Sequence, residues 1–470
     1  MIKKGDEILA EISDINSEGK GISKLPDGFV IFSENTVPGD RALIRIKRKK
    51  SNYAEASLIS IEQPSEFRTE PRCSHFGICG GCKMQNYDYD KQILYKTNVV
   101  KNAFERIGGF TETEIPEALR SDKIFFYRNK MEFSFSDDEW TEIKESGESK
   151  NIFALGLHVP KFHSKIINIS KCYLQSDLSN EILNFTREFF ESRSIKVYST
   201  KSQTGYLRFL IIRQSANTNE IMVNLITYSY DEQLMKEYSE SLNNKYPEIT
   251  TIINSTSSRI AQIAFGENEY VLKGKGYITE SLEAEQGRKY NFKISPQSFF
   301  QTNTKQAEKL FDVLIKFSGF EKTDNILDLY CGTGSISVLI SEYVNKVTGV
   351  ELINDSINDA GENAKLNNIS NAEFICSDIK DFIENKNNLT GFNKLILDPP
   401  RSGLHPKICE VLSATNFDKI VYVSCNPHTQ ARDLKIICSG GSYKIGKVQP
   451  VDMFPHTYHV ENVVSLEKVE

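Results

Sequence analysis

The sequence has no run of about 18 apolar residues, the least that makes a membrane-spanning helix, so no transmembrane segment is expected. Its opening, MIKKGDEILAEIS, lacks an apolar core ahead of a cleavage site; the chain therefore reads as cytoplasmic. It has no excess of positive charge: the net charge is −6. That argues against a protein-wide basic field, though not against a local one. Residues 41–50 hold six basic side chains and no acid. Such a segment either contacts phosphates or is a strand edge kept from aggregating by lysine. The cysteines number nine, and an odd count in a chain with no secretory signal excludes a disulfide framework. No internal repeat is visible. What remains is ordinary globular composition, 39% hydrophobic and 26% charged over 470 residues. That length exceeds a single core and predicts two or three domains of about 100–200 residues each.

Residues 1–61 show short period-2 segments at 7–12, 29–32, 41–47 and 53–61, separated by Gly- or Pro-containing turns. Short strands at this density, in about sixty residues, predict a small OB-like β-barrel. Pro64 and Pro71 mark a break. A cysteine-rich stretch follows, then a helix over 91–107. Residues from about 125 to 290 read mostly as strands, interrupted by one helix near 176–193. From about 305, apolar strands alternate with helices, which predicts a parallel sheet covered on both faces.

Ile326-Leu-Asp-Leu-Tyr-Cys-Gly-Thr-Gly-Ser335 is an apolar strand running into a glycine turn. Gly332 and Gly334 allow the backbone to approach a ligand at the strand's carboxyl end, where open α/β sheets bind ligands. Glu351 ends the next strand, 23 residues after Asp328, and is placed to accept hydrogen bonds from both hydroxyls of a ribose. The third glycine of a dinucleotide turn is missing, since Ile336 and Ser337 follow Ser335. This disfavours a pyrophosphate-bearing cofactor and favours S-adenosylmethionine. The plain alternative is a tight turn with no ligand.

Three motifs lie near this turn's expected position. Asp398-Pro-Pro-Arg401 follows the strand at 394–397, Ser424-Cys-Asn-Pro427 follows the strand at 419–424, and His459-Val-Glu461 lies near the C-terminus. They are expected to follow strands or occupy the last βα segment, and so to converge. C5 of uridine becomes nucleophilic when a thiolate adds to C6, which requires a cysteine, a methyl donor and a base for the C5 proton. Cys425 is the candidate nucleophile, Glu461 the candidate base, and Asp398 the group that holds the uracil edge. Any one of them alone reads as well as a core or surface residue. Asp-Pro-Pro also occurs in amino-group methyltransferases, where an aromatic residue follows; Arg401 in that place, with a thiol at 425, points to carbon as the acceptor.

Cys73-x5-Cys79-x2-Cys82 sets three thiols within ten residues, among Gly77, Gly80 and Gly81. Cys172 is a candidate fourth ligand. Four thiolates suit zinc or a [4Fe–4S] cluster, and spacing alone does not choose between them. Cys331, Cys376, Cys409 and Cys438 read as core thiols. Tyr127-Arg128-Asn-Lys130, followed by Phe133 and Phe135, mixes basic and aromatic groups as single-stranded RNA sites do; the alternative is an amphipathic strand.

Together these motifs resemble the RNA 5-methyluridine methyltransferase family, in its bacterial 23S ribosomal RNA branch. The resemblance spans nearly the whole chain. Its most specific pieces are Ser295-Pro-Gln-Ser-Phe-Phe-Gln301-Thr-Asn303, the turn from Asp328 to Gly334, and the three motifs around Asp398, Cys425 and Glu461. It implies a multidomain α/β protein. Residues 1–61 form a TRAM-type RNA-binding barrel, 62–292 a β-rich central domain with an iron–sulfur cluster, and 293–470 a Rossmann-like methyltransferase domain against which residues of about 91–120 pack. It implies Cys425 as nucleophile and Glu461 as base. Gln301, Tyr330, Gly332, Gly334, Glu351, Asp378 and Asp398 meet S-adenosylmethionine or the target base. Phe299 stacks near the uracil, and Arg128 and Lys130 meet RNA. Cys73, Cys79, Cys82 and Cys172 hold a [4Fe–4S] cluster. The expected partner is 23S ribosomal RNA, with no membrane and a monomeric enzyme. Two other readings stand beside it: a transfer RNA T-loop methyltransferase, whose relatives typically lack the cysteines, and an RNA-binding protein without chemistry.

Overall fold

The computed structural model describes residues 2–140, 153–160, 162–284 and 287–469. No helix among them is long and apolar enough to cross a membrane. The N-terminal unit is one six-stranded sheet in the order Glu7–Glu11, Arg41–Lys49, Tyr53–Gln63, Val30–Ser33, Gly21–Lys24, Asp14–Ile15. Alternation drives it: Ala42, Ile44 and Ile46 are buried while Arg41, Arg45 and Lys47 face out. Three register shifts between its two longest strands bend the sheet.

The middle unit is a seven-stranded sheet, ordered Asn268–Lys273, Thr251–Thr256, Ile221–Thr227, Leu207–Gln214, Lys130–Ser136, Ala154–Val159, Phe162–Asn168. Two helices, Asp177–Ser192 and Glu232–Lys245, cover one face and share its core. The second helix departs from the expectation of a single one. It is the crossover between the parallel strands Ile221–Thr227 and Thr251–Thr256, the length of connection a parallel pair requires. Phe133 and Phe135 also depart from expectation. Both are fully buried in this core rather than open to RNA.

The C-terminal sheet runs Ala372–Cys376, Lys346–Glu351, Asn325–Leu329, Lys394–Leu397, Lys419–Ser424, Glu461–Lys468, Tyr443–Val451. Its first five strands pair in parallel. Glu461–Lys468 is antiparallel to both neighbours. The helix Thr304–Ser318 and the hairpin of Ile278–Glu283 with Lys289–Ile294 share the core on one face. On the other face, Val100, Ala103 and Phe104, at the end of the helix Tyr89–Ala103, pack with Leu327, Leu329 and Leu395. Cys331 and Cys409 are buried and Cys438 is half-buried, but Cys376 is exposed, contrary to expectation, because it ends the outermost strand.

The helix Tyr89–Ala103 carries a lysine on its buried side. Lys96 ion-pairs with Asp452, both side chains wholly inaccessible, and its Nζ also donates to the Phe454 carbonyl at 3.0 Å. The Tyr89 hydroxyl donates to the other Asp452 oxygen at 2.7 Å. Removing one partner of such a pair strands a buried charge. Lys96→Met should therefore cost about 3–5 kcal/mol, read as a lower urea midpoint, and combining it with Asp452→Leu should recover most of the loss. An unchanged midpoint in the single variant would contradict the pair's burial.

Candidate active site

Sheet direction brings the candidate residues together. Five parallel strands end on one edge, and the antiparallel strand Glu461–Lys468 begins there. Ser424 pairs with Asn462 across the last two, so Cys425, just past one strand's end, and Glu461, the first residue of the other, share that edge. The expectation was that His459–Glu461 follows a strand or lies in the last βα segment; the motif instead leads into the antiparallel strand Glu461–Lys468, and that direction gives the same convergence.

Glu461 is buried, and burial pushes its carboxyl up to about 8, with Asp398 adding to the rise and Arg401 opposing it. Asp398 rises to about 7, through burial and then the charge of Asp328. Burial pushes the Cys425 thiol up to about 11; Glu461 and Asp398 add to this, while the hydrogen-bonded Arg401 guanidinium opposes it. Arg401 is held by its backbone, whose carbonyl accepts from Asn426 Nδ2 at 3.1 Å and Thr429 Oγ1 at 3.3 Å. Its Nη2 lies 3.3 Å from both ring nitrogens of His459. Burial drives His459 down to about 4, with the Arg401 charge reinforcing it, so the ring is neutral at pH 7. Arg401 and His459 belong to motifs visible in the sequence, but their contact with each other and with the thiol was not foreseen.

The glycine turn lies beside this group. Asp328 is wholly buried, accepts from Ser337 Oγ at 2.6 Å through Oδ2, and leaves Oδ1 without a partner. Burial pushes it up to about 7. Tyr330 (φ 66°), Gly332 (φ 53°) and Gly334 (φ 77°) put three left-handed residues within five positions. A side chain at Gly332 would meet nothing within 4 Å, whereas one at Gly334 would strike Ala360 at 2.9 Å and Phe374 at 3.1 Å. Gly332 therefore borders open space, as a ligand-facing backbone does, and Gly334 is a packing glycine. Glu351 accepts from Leu352 N at 2.8 Å and Ile353 N at 3.0 Å, with its other oxygen 3.4 Å from Gly332 N. Asp378 caps the helix Ile379–Glu384. The segment with Gln301 is fixed by Asn129, whose Nδ2 donates to the Gln301 carbonyl at 2.9 Å. Phe299 is 69% exposed.

Cys73, Cys79, Cys82 and Cys172 line a separate cavity of about 420 Å³. All four are free thiols, and Cys79 and Cys82 each feel the charge of others of the set. Gly81 N donates to Cys79 Sγ at 3.3 Å. Among the described residues, no group of three or more His, Cys, Asp or Glu is placed to hold a metal ion. Arg128 and Lys130 line this same cavity. Arg128 Nε donates to the Lys130 carbonyl at 2.9 Å, and Lys130 pairs with Glu132. The cavity is not remote from the active edge. Thr302, beside Gln301, lines it, and Lys83 N and Met84 N donate to the His456 carbonyl at 2.8 and 3.0 Å.

Residues 207–469 match the family described as tRNA (Uracil-5-)-methyltransferase, and residues 3–59 match the TRAM domain. The chain is 39% identical to an uncharacterized RNA methyltransferase of Chlorobaculum tepidum, over 100% of this chain and 98% of the relative. It is 40% identical to one of Bacteroides thetaiotaomicron, over 96% and 99%. A solved structure of Pyrococcus abyssi tRNA (uracil-54, C5)-methyltransferase with S-adenosyl-L-homocysteine superposes with a TM-score of 0.74 and 28% identity, covering 98% of this chain and 100% of that one.

The two glycines should behave differently. Gly334→Ala should destabilise by about 1–3 kcal/mol, from overpacking and left-handed strain together. Gly332→Ala should cost about 1–2 kcal/mol, from strain alone. Urea midpoints measured side by side check the order, and a reversed order would contradict the packing described.

Proposed function

The chain belongs to the RNA uracil-5-methyltransferase family, and from that premise we propose that it methylates C5 of a specific uridine in 23S ribosomal RNA through a covalent Cys425–C6 adduct. The coarser activity, S-adenosylmethionine-dependent methylation of uracil C5 in RNA, follows from family membership. The covalent mechanism is supported by one observation: Cys425 and Glu461 meet at the carboxyl edge of the sheet, where Ser424 pairs with Asn462, and Arg401 and Asp398 act electrostatically on both.

In this reading the Cys425 thiolate adds to C6, favoured by the hydrogen bond from Arg401. Asp398 holds the uracil edge. S-adenosylmethionine, held by Gln301, Tyr330, Gly332, Gly334, Glu351 and Asp378, would supply an electrophilic methyl group to the enolate carbon C5 and leave as S-adenosylhomocysteine. Glu461 takes the C5 proton, and the C6–S bond then breaks to release the thiolate. Phe299 stacks near the base, which must leave its helix to reach the sulfur. Residues 1–61 dock RNA, 62–292 carry the cysteine site and 293–470 carry the chemistry, the last borrowing the helix Tyr89–Ala103. The enzyme works as a cytoplasmic monomer.

The proposed occupant of the cysteine cavity is a [4Fe–4S] cluster rather than zinc. Structural zinc draws four ligands to within about 2.3 Å of one point, whereas a cubane spreads its thiolates around a larger body. The four thiols line one cavity, and the choice of the cluster over zinc rests on the family resemblance. The cluster would brace the chain and takes no part in the chemistry. It also inclines the target toward ribosomal RNA. A transfer RNA target is the second reading, favoured by the Pyrococcus relative that acts on uracil-54; mapping 5-methyluridine in both RNA classes from a deletion strain separates the two.

Incubation with 5-fluorouridine RNA and S-adenosylmethionine should give an adduct stable on a denaturing gel, absent in Cys425→Ala; an adduct surviving that substitution would remove Cys425 from its role. Glu461→Gln should still transfer methyl but release product roughly 10²–10⁴-fold more slowly, trapping protein on RNA. A base with its carboxyl near 8 is ionised above that pH and protonated below it, so the release rate should rise from pH 7 to 9 in the parent and stay flat in the variant. The anaerobically purified protein should be brown and carry about four irons; a colourless protein with stoichiometric zinc would overturn the cluster assignment.

A further inference from the structure

Strand Leu207–Gln214 buries two guanidinium groups that have no carboxylate bonded to them. Arg208 is 2% exposed; its Nη1 donates to the carbonyls of Ser257 at 2.8 Å and Arg259 at 2.6 Å, and its Nη2 to Ala261 at 2.7 Å. Arg213 is 3% exposed and donates to the Ser298 carbonyl. Each leaves a buried Nε without a partner. Burying a charge this way is costly, and what it achieves is the shape of two irregular loops, 257–267 and 295–303. Phe300 and Ala264 turn inward from these loops, but other large apolar side chains on them do not. Ile260 is 58% exposed, Ile263 52%, Phe265 37% and Phe299 69%. Large apolar side chains held out to solvent on an ordered loop mark a contact surface.

The two loops are joined. Gln297 Nε2 donates to the Gly266 carbonyl at 2.8 Å and to Glu269 at 3.0 Å. Ser298 Oγ donates to Asp359 at 2.7 Å, and Thr333 Oγ1, in the glycine turn, lies 3.4 Å from the Phe299 carbonyl. The first loop is stiffened by Glu267, which accepts from Ser258 N and Oγ at 2.8 and 2.9 Å. The Arg259 guanidinium lies 4.8 Å over the Phe265 ring, with half of its side chain still open to solvent.

We propose that loop 257–267 continues from Phe299 as a stacking ridge for the single-stranded nucleotides beside the target uridine, an assignment that rests on the RNA-methylating reading above. Extruding one base leaves its neighbours without stacking partners. Apolar and aromatic faces replace that stacking whatever the sequence, and a half-exposed arginine at the rim meets the phosphates. The ridge ends at the segment that borders the glycine turn, so a protein seated on it would close the substrate's way in.

The test is the double variant Ile260→Ser/Ile263→Ser, with undermethylated RNA from the deletion strain as acceptor. KM for RNA should rise about tenfold, while kcat at saturating RNA and the Kd for S-adenosylmethionine stay at parental values. An unchanged KM, or a fall in kcat alone, overturns the proposal. So does an unchanged KM accompanied by loss of self-association on gel filtration, which would assign the ridge to a second copy. Independently of that variant's folding, ultraviolet crosslinking of the parent enzyme to 4-thiouridine-substituted RNA should label the peptide holding residues 259–265; labelling that omits it also overturns the proposal. A parent enzyme that forms no Cys425 adduct places the failure in the underlying function instead.

Discussion

The wholly buried Lys96–Asp452 pair is the constraint on which the active edge depends. Asp452 opens the loop that leads to His459 and Glu461. A loop of that length between two antiparallel strands has many conformations, and ordering each residue costs about 1–2 kcal/mol. Here the cost is met from outside the sheet. Lys96 and Tyr89 hold Asp452; Gln92 holds His456 through both its backbone N–H, at 3.0 Å, and its ring nitrogen, at 3.2 Å. Tyr127 donates to the Pro455 carbonyl at 3.0 Å and Asn303 to that of Met453 at 3.0 Å. His456 sits at φ 64°, a strained value for histidine that persists only when surroundings overdetermine it. The acid at 461 is thus placed through contacts between residues 150 to 364 positions apart in sequence.

Electrostatics then sets what that edge can do. Asp328, Asp398 and Glu461 are pushed up to about 7, 7 and 8, first by burial and then by one another or by nearby acids. Acids crowded in a dry site resist ionisation together. A sulfonium cation bound beside them would oppose that resistance, so a positively charged cofactor and ionised carboxylates would favour each other. Arg401 provides the one compensating charge that reaches both the thiol and Glu461. Neutral His459 in contact with it adds no second positive charge at the sulfur.

Much of this was legible because it is local. A strand, a glycine turn and a motif at a strand end span about ten residues, and chain order plus sheet topology does the rest. Ala42, Ile44 and Ile46 announce their strand by alternation alone. Other features are invisible at that range. Lys96 reads as a surface lysine, since its partner is 356 residues away. Phe133 and Phe135 have the composition of a stacking platform, and only the helices above them turn them into core. The helix Glu232–Lys245 was lost among strands because it is the connection between two of them, amphipathic but short. Cys376 has the pattern of a buried strand thiol, and its exposure follows from its strand's place at the edge of the sheet.

The central unit was the hardest to read and does more than separate the other two. Its cysteine segment continues through Lys83 and Met84 into hydrogen bonds with the His456 carbonyl. Arg72, next to Cys73, lies within 4.6–5.3 Å of the rings of Phe125, Phe126 and Tyr173, and Phe125 stacks on His456 at 4.4 Å. The walls of the cysteine cavity and the loop carrying the acid are therefore one packed body. Packed interiors shift between discrete arrangements rather than deforming smoothly. A rearrangement of the cavity wall would consequently reach the loop that carries Glu461 through this shared packing.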